Sequence, residues 1–486
     1  MSGYGTLASV TDAPPPSVPG RVDEAFDAAE IARISGGRLE RSSDRPIRGA
    51  AVDSRRVEPG NLFVALPGER TDGHEHLVAA VEAGAAALLV SRPGPLGATL
   101  GDVAVIRVGQ PLAALHALAA SWRRRFDPLT VGITGSIGKT STKEAVAAVL
   151  GGRFQTLKNE GNENNEIGLP LTVLRLTGAD RALVLEMGMY VQGEIADLVR
   201  IGLPRIGVVT AVQPVHLSRI GSLEAIEHEK GRLVEGLPAS GTAVLNADDE
   251  RVLRMAGRTA ARVMTYGFSD DADVRAEAVV SDGPAGMHFD LRTPFGGRRV
   301  EIAQLGRHAV HNALAAAAVG LAAGIDPAAI ATALGSATGA AHRGELIRLG
   351  EVTVIDDSYN AAPASMLAAL DVLAGLRGRR VAVLGEMLEL GDEAAAGHLQ
   401  VGRAAARVAD LLIVVGDDPE GEADTLAEGA REAGLEPERI LRVADAEAAH
   451  DELRPRLIPG DVVLVKASRG IALDRLVDAL RRELEP

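Results

Sequence analysis

Residues 131–144 read VGITGSIGKTSTKE. Gly138-Lys139-Thr140 forms the end of a phosphate-binding loop. In such a loop backbone N–H groups turn onto phosphate at a helix N-terminus, the lysine reaches the terminal phosphates and the hydroxyl goes to Mg2+. The standard spacing G-x-x-x-x-G-K-[ST] puts its first glycine where this chain has Ile133, with Gly132 one place early and Gly135 inside the loop. The flanking runs LTVGIT and KTSTKEAVAAVL read as a strand and a helix, the context such a loop requires. A glycine-rich turn that binds nothing has no need of lysine, hydroxyl and helix in this order. Thr134, Gly135, Ser136, Ile137, Gly138, Lys139, Thr140 and Ser141 are therefore the candidate phosphate-binding residues.

Two later stretches place polar residues after apolar strands. In VLEMGMYVQGEIADL, Glu186 ends a strand, where open α/β sheets hold their ligands. Alone it reads as an exposed strand end; beside a phosphate loop it reads as a carboxylate for Mg2+, which favours one or two carboxylates plus phosphate oxygens and water. His216 in TAVQPVHLSRIG follows another apolar strand and belongs to the same rim, although a lone histidine is more often a packing residue. Lys230, on the helix after it, reads by itself as a solvated helix lysine.

The elements that must position these residues are many. A chain of 486 residues is long enough for about three domains. Hydrophobic residues make up 46% and aromatics only 2%, so the cores are built from Ala, Val, Leu and Ile. The net charge of −15 argues against non-specific nucleic-acid binding, because no basic excess is present to displace phosphate counterions. The absence of cysteine excludes disulfides and thiolate chemistry and fits a reducing compartment. No secretory or membrane-spanning segment is read, so a cytoplasmic protein is expected.

Residues 1–26 read as a polar, Pro-rich disordered tail, and 27–108 as a small α/β domain in which GHEHLVAAVEAGAAALLVS is a helix. In 109–340 the strands LTVGIT, RALVLEMG, RIGVVTAV and GTAVLNAD alternate with helices, which predicts a mainly parallel sheet. From 341 to 486 the alternation restarts with VTVIDD, RRVAVLGE, LLIVVGD and DVVLVKAS, a second doubly wound sheet. The fold class is thus α/β in three domains.

Taken together, GITGSIGKTS, AVDSRRVEPGNLFVALPGERTDGHEH, NEGNENNEIGLPLTVL, VIDDSYNAAPASMLAAL, VAVLGEMLELGDEAAAGH and DVVLVKASRG resemble the Mur ligases, ATP-dependent amide-forming enzymes of peptidoglycan precursor synthesis. The resemblance runs from about residue 27 to 484 and implies a UDP-binding domain, a central P-loop ATP-binding domain and a C-terminal Rossmann-like domain. Several stretches are most similar to the members that add D-Ala-D-Ala to UDP-MurNAc-tripeptide, and the DNPR signature of the diaminopimelate-adding members is absent.

Carried over by residue, the resemblance implies ATP and Mg2+ on Lys139 and Thr140, with Glu186 on the metal. It implies a second Mg2+ on His216 and on Lys230 as its N-carbamate, with Lys139, Lys230, His216 and Arg343 as the catalytic set. Asn312 would face adenine, Arg343 the γ-phosphate, and Asp357 and Asn360 the nucleotide. Ser54, Arg55, Asn162 and Asn165 would serve the UDP-substrate. A monomer with small-molecule substrates only is expected. The chain departs from the family at Ala309 in RHAVHN, at Ala362 in NAAP, and in QPVHL and KASRG, none of which removes the phosphate lysine or an implied metal ligand. Other readings are another amide ligase of the superfamily, resembling the folylpolyglutamate synthases or the diaminopimelate-adding Mur ligases, and a non-catalytic nucleotide-binding scaffold, which has no reason to hold two metals.

Overall fold

The computed structural model describes residues 24–68, 71–92, 101–214, 217–417 and 421–484. Contacts divide the chain into two compact units, one made of the chain up to Pro128 with Pro170–Arg181 and Leu321–Ile325, the other of the remainder. Of the expected tail, residues 1–23 lie outside the described residues. Its last part is folded: Ala25 and Phe26 are buried, and Phe26 exchanges backbone bonds with Ile47. Phe26 packs its ring 4.7 Å from that of Trp122, whose indole N–H donates to the Leu176 carbonyl at 2.9 Å.

The first unit holds a five-stranded sheet in the order Arg38–Arg41, Ala104–Arg107, Ala87–Val90, Leu62–Val64, Ala50–Ala51, antiparallel only at its first pair. Here the expected helix over GHEHLVAAVEAGAAALLVS is corrected. The stretch splits into a short helix, Leu77–Glu82, and the strand Ala87–Val90. Gly84 takes φ +106°, which stops the helix, and Ala85–Val90 is then buried on both faces of a parallel sheet. A continuous apolar run of this kind has no period to tell strand from helix.

The second unit holds two sheets. Six strands of the nine-stranded sheet are parallel to their neighbours in the order Arg262–Gly267, Thr242–Asn246, Ile206–Val209, Leu129–Thr134, Ala182–Glu186, Thr156–Lys158. Val274–Ser281 joins parallel, and Met287–Thr293 and Gly296–Ile302 extend it antiparallel, an edge that the sequence reading did not single out. The six-stranded sheet runs Glu345–Leu349, Val352–Asp356, Val462–Lys466, Arg380–Gly385, Leu411–Val415, Ile440–Val443, parallel except at its first pair. Period-two alternation feeds both faces of it. Ala382, Leu384, Leu412 and Leu464 pack under the helix Pro363–Gly375, whereas Val381, Val383, Ile413 and Val463 pack under Asp474–Leu484.

Candidate functional site

The strand Leu129–Thr134 lies between Ala182–Glu186 and Ile206–Val209, with Ile133 opposite Glu186 on one side and Val208 on the other. The chain leaves this strand for one side and later returns to the other, so a crevice opens at its carboxyl end, where doubly wound sheets bind ligands. The loop 135–138 occupies that point and leads into the helix Lys139–Gly151. Gly135 has φ +152°, and a Cβ on it would stand 1.8 Å from Thr210 Oγ1. Gly138 has φ +79° at the helix N-cap. These two are the glycines the loop needs. Gly132 serves packing instead. It lies within the strand, where a Cβ would press on Leu233 at 2.9 Å and Met187 at 3.1 Å, which accounts for its being off register.

Around the loop most polar atoms are engaged. Lys139 Nζ donates to the carbonyls of Gly135 (2.8 Å) and Ser136 (3.3 Å). Burial lowers the Lys139 ammonium pKa; Glu186 opposes this and Arg343 adds to it. Thr140 Oγ1 donates to Glu186 Oε1 at 3.1 Å, and Asn164 Nδ2 donates to the same oxygen at 2.7 Å. Glu186 is 1% exposed, and its Oε2 has no hydrogen-bond partner among the described residues. Ser136 ties the loop to Gln213 by two bonds, and Thr142 Oγ1 donates to Asn312 Oδ1 at 3.2 Å. Lys230, on the helix Leu223–Glu235, is 2% exposed, and no hydrogen bond joins its Nζ to a described residue. Burial drives its amine well below the ordinary ammonium value, the charge of Lys139 adds to this, and Glu229 opposes it.

A cavity of about 1040 Å³ opens here, lined by the loop, Glu186, Lys230, Asn246, Asp248, Phe268, Arg307, His311 and Asn312, and by residues of the six-stranded sheet. His311 Nε2 lies 3.1 Å from Asn246 Oδ1 and 3.3 Å from Asp248 Oδ2. Burial works against the Asp248 charge, yet His311 and the N–H groups of Phe268 and Ser269 hold its carboxyl below the usual value. With Arg307 over the Phe268 ring at 4.2 Å, this corner offers a flat, partly polar slot. From the six-stranded sheet, Arg343 stacks on the Tyr359 ring at 4.1 Å and Arg469 flanks the same ring at 5.4 Å. Lys466 pairs with Asp357 at 2.7 Å and donates to the Asn360 carbonyl at 2.9 Å.

The cavity thus brings together Gly135, Ser136, Ile137, Gly138, Lys139, Thr140, Ser141, Asn162, Glu186, Lys230, Asn312, Arg343, Asp357 and Asn360. Thr134 is not on its wall: it is fully buried, and its hydroxyl donates to the Met187 carbonyl at 2.8 Å. Asn165 caps the helix Gly168–Leu174 through bonds from Ile167 and Gly168. Ser54 and Arg55 belong to the other compact unit, where hydrogen bonds from Arg55 hold the Asp53 carboxyl down at about 2. His216 lies outside the described residues. Asn164, Asn246, Asp248, Phe268, Arg307, His311, Tyr359 and Lys466 escaped the sequence reading. The signal for several was there, since Asn246 ends a strand of the same sheet, Asp248 follows it, and Lys466 ends one of the other.

A glycine loop of this geometry at a switch point, facing cations from a second sheet across one cavity, is the arrangement of a nucleotide-handling α/β protein. Three family profiles match the chain: the Mur ligase family catalytic domain over residues 46–123, the Mur ligase middle domain over 133–320, and the Mur ligase glutamate ligase domain over 342–469. The UDP-N-acetylmuramoyl-tripeptide–D-alanyl-D-alanine ligase of Mycobacterium bovis is 41% identical, covering 93% of this chain and 97% of its own. The crystal structure of MurF from Acinetobacter baumannii superposes with a TM-score of 0.84 at 29% identity, over 94% of this chain and 99% of its own. MurF from Thermotoga maritima, solved in complex with ADP, gives 0.77 at 28% identity, over 90% and 98%. The chain belongs to the Mur ligase family.

Proposed function

We propose that this protein joins D-Ala-D-Ala to UDP-MurNAc-tripeptide at the expense of ATP, giving the UDP-linked pentapeptide, ADP and phosphate. The observation that carries the reading is the pairing, in one cavity, of the Lys139 loop and the Thr140–Glu186 contact with Arg343 and Asp357 from the second sheet. The identity of 41% to a curated ligase of that name over 93% of the chain supports the same substrates.

The terminal carboxylate of the tripeptide attacks the γ-phosphorus, the β,γ P–O bond breaks, and ADP leaves an acyl phosphate. The amine of D-Ala-D-Ala then attacks the carbonyl carbon, loses a proton, and expels phosphate. Both partners of the first step are anions, so catalysis is chiefly neutralisation and alignment. Lys139 leaves its loop carbonyls for the transferring phosphoryl group, and Arg343 approaches it from the other sheet. Asn312, Asp357 and Asn360 bound the nucleotide, and Asn162 faces the UDP-linked peptide.

The residues fit Mg2+. Glu186 keeps one buried carboxylate oxygen without a donor among the described residues, and Thr140 Oγ1 lies beside the other, the hard oxygen donors such an ion takes along with phosphate and water. When bound there, the ion supplies positive charge to the phosphate oxygens. For a second ion, burial favours the neutral form of the Lys230 amine, the form that would attack CO2 and lose a proton to give an anionic oxygen donor. Among the described residues no group of three or more acidic or histidine side chains forms a ready-made metal site. No described helix is long and apolar enough to cross a membrane. A cytoplasmic monomer, with a soluble UDP-linked substrate, completes the reading.

Phosphate release from ATP is the test. Release that needs both UDP-MurNAc-tripeptide and D-Ala-D-Ala, with the pentapeptide seen by mass, is expected. Release indifferent to D-Ala-D-Ala would move the acceptor elsewhere and sink the assignment.

A further inference from the structure

The loop helix buries a second lysine that the proposed chemistry leaves unused. Lys143, one turn beyond Lys139, is fully buried. Its Nζ donates to the Gly161 carbonyl at 2.9 Å, pairs with Glu144 Oε1 at 3.2 Å, and stands 3.9 Å from Glu186 Oε2. The other oxygen of Glu144 is taken by Lys158. Segment 159–164 is fastened to the same strand end from several directions. The Glu186 N–H donates to Asn159 Oδ1 at 2.6 Å, Asn159 Nδ2 to the Glu163 carbonyl at 2.6 Å, and the Gly188 N–H to the Asn164 carbonyl at 2.8 Å. Asn164 in turn holds Glu186 Oε1 at 2.7 Å.

A buried ammonium is an expensive space-filler, because an apolar side chain of similar volume packs there without desolvating a charge. What Lys143 adds is a cation and a donor at a chosen place. At 3.9 Å from Glu186 Oε2 it is too far to hydrogen-bond, yet near enough to offset the buried charge. Its hydrogen bond goes instead to the segment that presents Asn164 to the other oxygen.

We propose that Lys143 is a positioning residue: it ties the phosphate-loop helix to segment 159–164 and so holds Glu186 with one carboxylate oxygen fixed and the other open to a divalent cation. This rests on the reading that Glu186 is the metal carboxylate. Partners that orient a ligating carboxylate typically contribute about 10–100-fold to metal affinity.

The test is Mn2+ binding to the protein–ADP complex, followed by electron paramagnetic resonance, with ADP affinity in EDTA measured in parallel. Lys143→Met and Lys143→Gln are compared with wild type, each checked for folding at 25 °C, and either folded variant decides the matter. Mn2+ affinity should fall at least ~10-fold while metal-free ADP affinity changes less than ~2-fold. Unchanged Mn2+ affinity, or an equal loss of Mn2+ and ADP, would overturn the proposal and leave Lys143 a framework residue. Glu186→Gln in the same titration separates the two failures. If it binds Mn2+ as wild type does, the metal reading of Glu186 falls too; if it alone is weakened, only the role of Lys143 does.

Discussion

The helices Lys139–Gly151 and Leu223–Glu235 each follow a strand of the nine-stranded sheet and each bury a lysine at its carboxyl end, but the two lysines are provided for in opposite ways. Lys143 has a carbonyl, a carboxylate and a second carboxylate around it. Lys230 has no hydrogen bond from its amine to a described residue, and the nearby charge of Lys139 pushes the same way as its burial. A buried cation with partners fits a framework role; a buried amine with no hydrogen-bond partner among the described residues fits the chemical role proposed for it.

The largest effect that would sharpen this contrast comes from Lys139, which the proposed reaction uses directly. Lys139→Ala should lower turnover by ~10³-fold or more, with affinity for the UDP-linked substrate within ~2-fold by calorimetry. Equal loss of both would mean that the two sites are not separate. Next comes Lys230→Ala, which should lose ~10²-fold in rate and regain activity with a short carboxylic acid that stands in for the carbamate. Lys143→Ala should show no such rescue, and rescue of both or of neither would erase the difference between the two helices.

Stability offers an opposite pair of signs. Lys230→Met removes a buried amine that makes no hydrogen bond to a described residue and should raise the thermal midpoint by a few degrees. Lys143→Met takes a cation from beside the buried Glu186 and leaves Glu144 with Lys158 alone, and should lower it by ~2–5 °C. Shifts of the same sign would break the comparison.

The smallest effect carries the burial argument to the six-stranded sheet. His398 is fully buried, its Nε2 accepts from the Met387 N–H at 2.8 Å, and its Nδ1 lies 2.8 Å from the Ala394 carbonyl, so both nitrogens are committed in the neutral ring. Burial lowers its pKa from the ordinary 6.5, so the unfolded chain takes up the proton first. The stability it contributes is complete above that pH and is lost as pH falls toward the lowered folded value. Thermal midpoints recorded from pH 8 down to 5.5 should decline, less steeply in His398→Gln; identical slopes would remove His398 from the account.

What could be read from the sequence was local. The strand Leu129–Thr134, the helix from Lys139 and the position of Glu186 at a strand end follow from apolar runs, glycines and a motif that are contiguous in the chain. Gly132 shows the limit. Its place in the motif is odd only until Met187 and Leu233 are seen packed against it from other elements. Asn164 and Lys143 were illegible for the same reason, because their bonds to Glu186 and Gly161 join parts of the chain 22 and 18 residues apart. The split of residues 73–91 into helix and strand turned on Gly84 and on burial in a sheet, which periodicity does not report.

The central claim is that the amide forms through an acyl phosphate made on the tripeptide's own carboxylate. Labelling both oxygens of that terminal carboxylate with 18O and weighing the released phosphate tests it directly. One labelled oxygen in each phosphate, formed only with D-Ala-D-Ala present, is the expected result. Phosphate free of label, with pentapeptide still made, would contradict the mechanism and the roles given to Lys139 and Arg343.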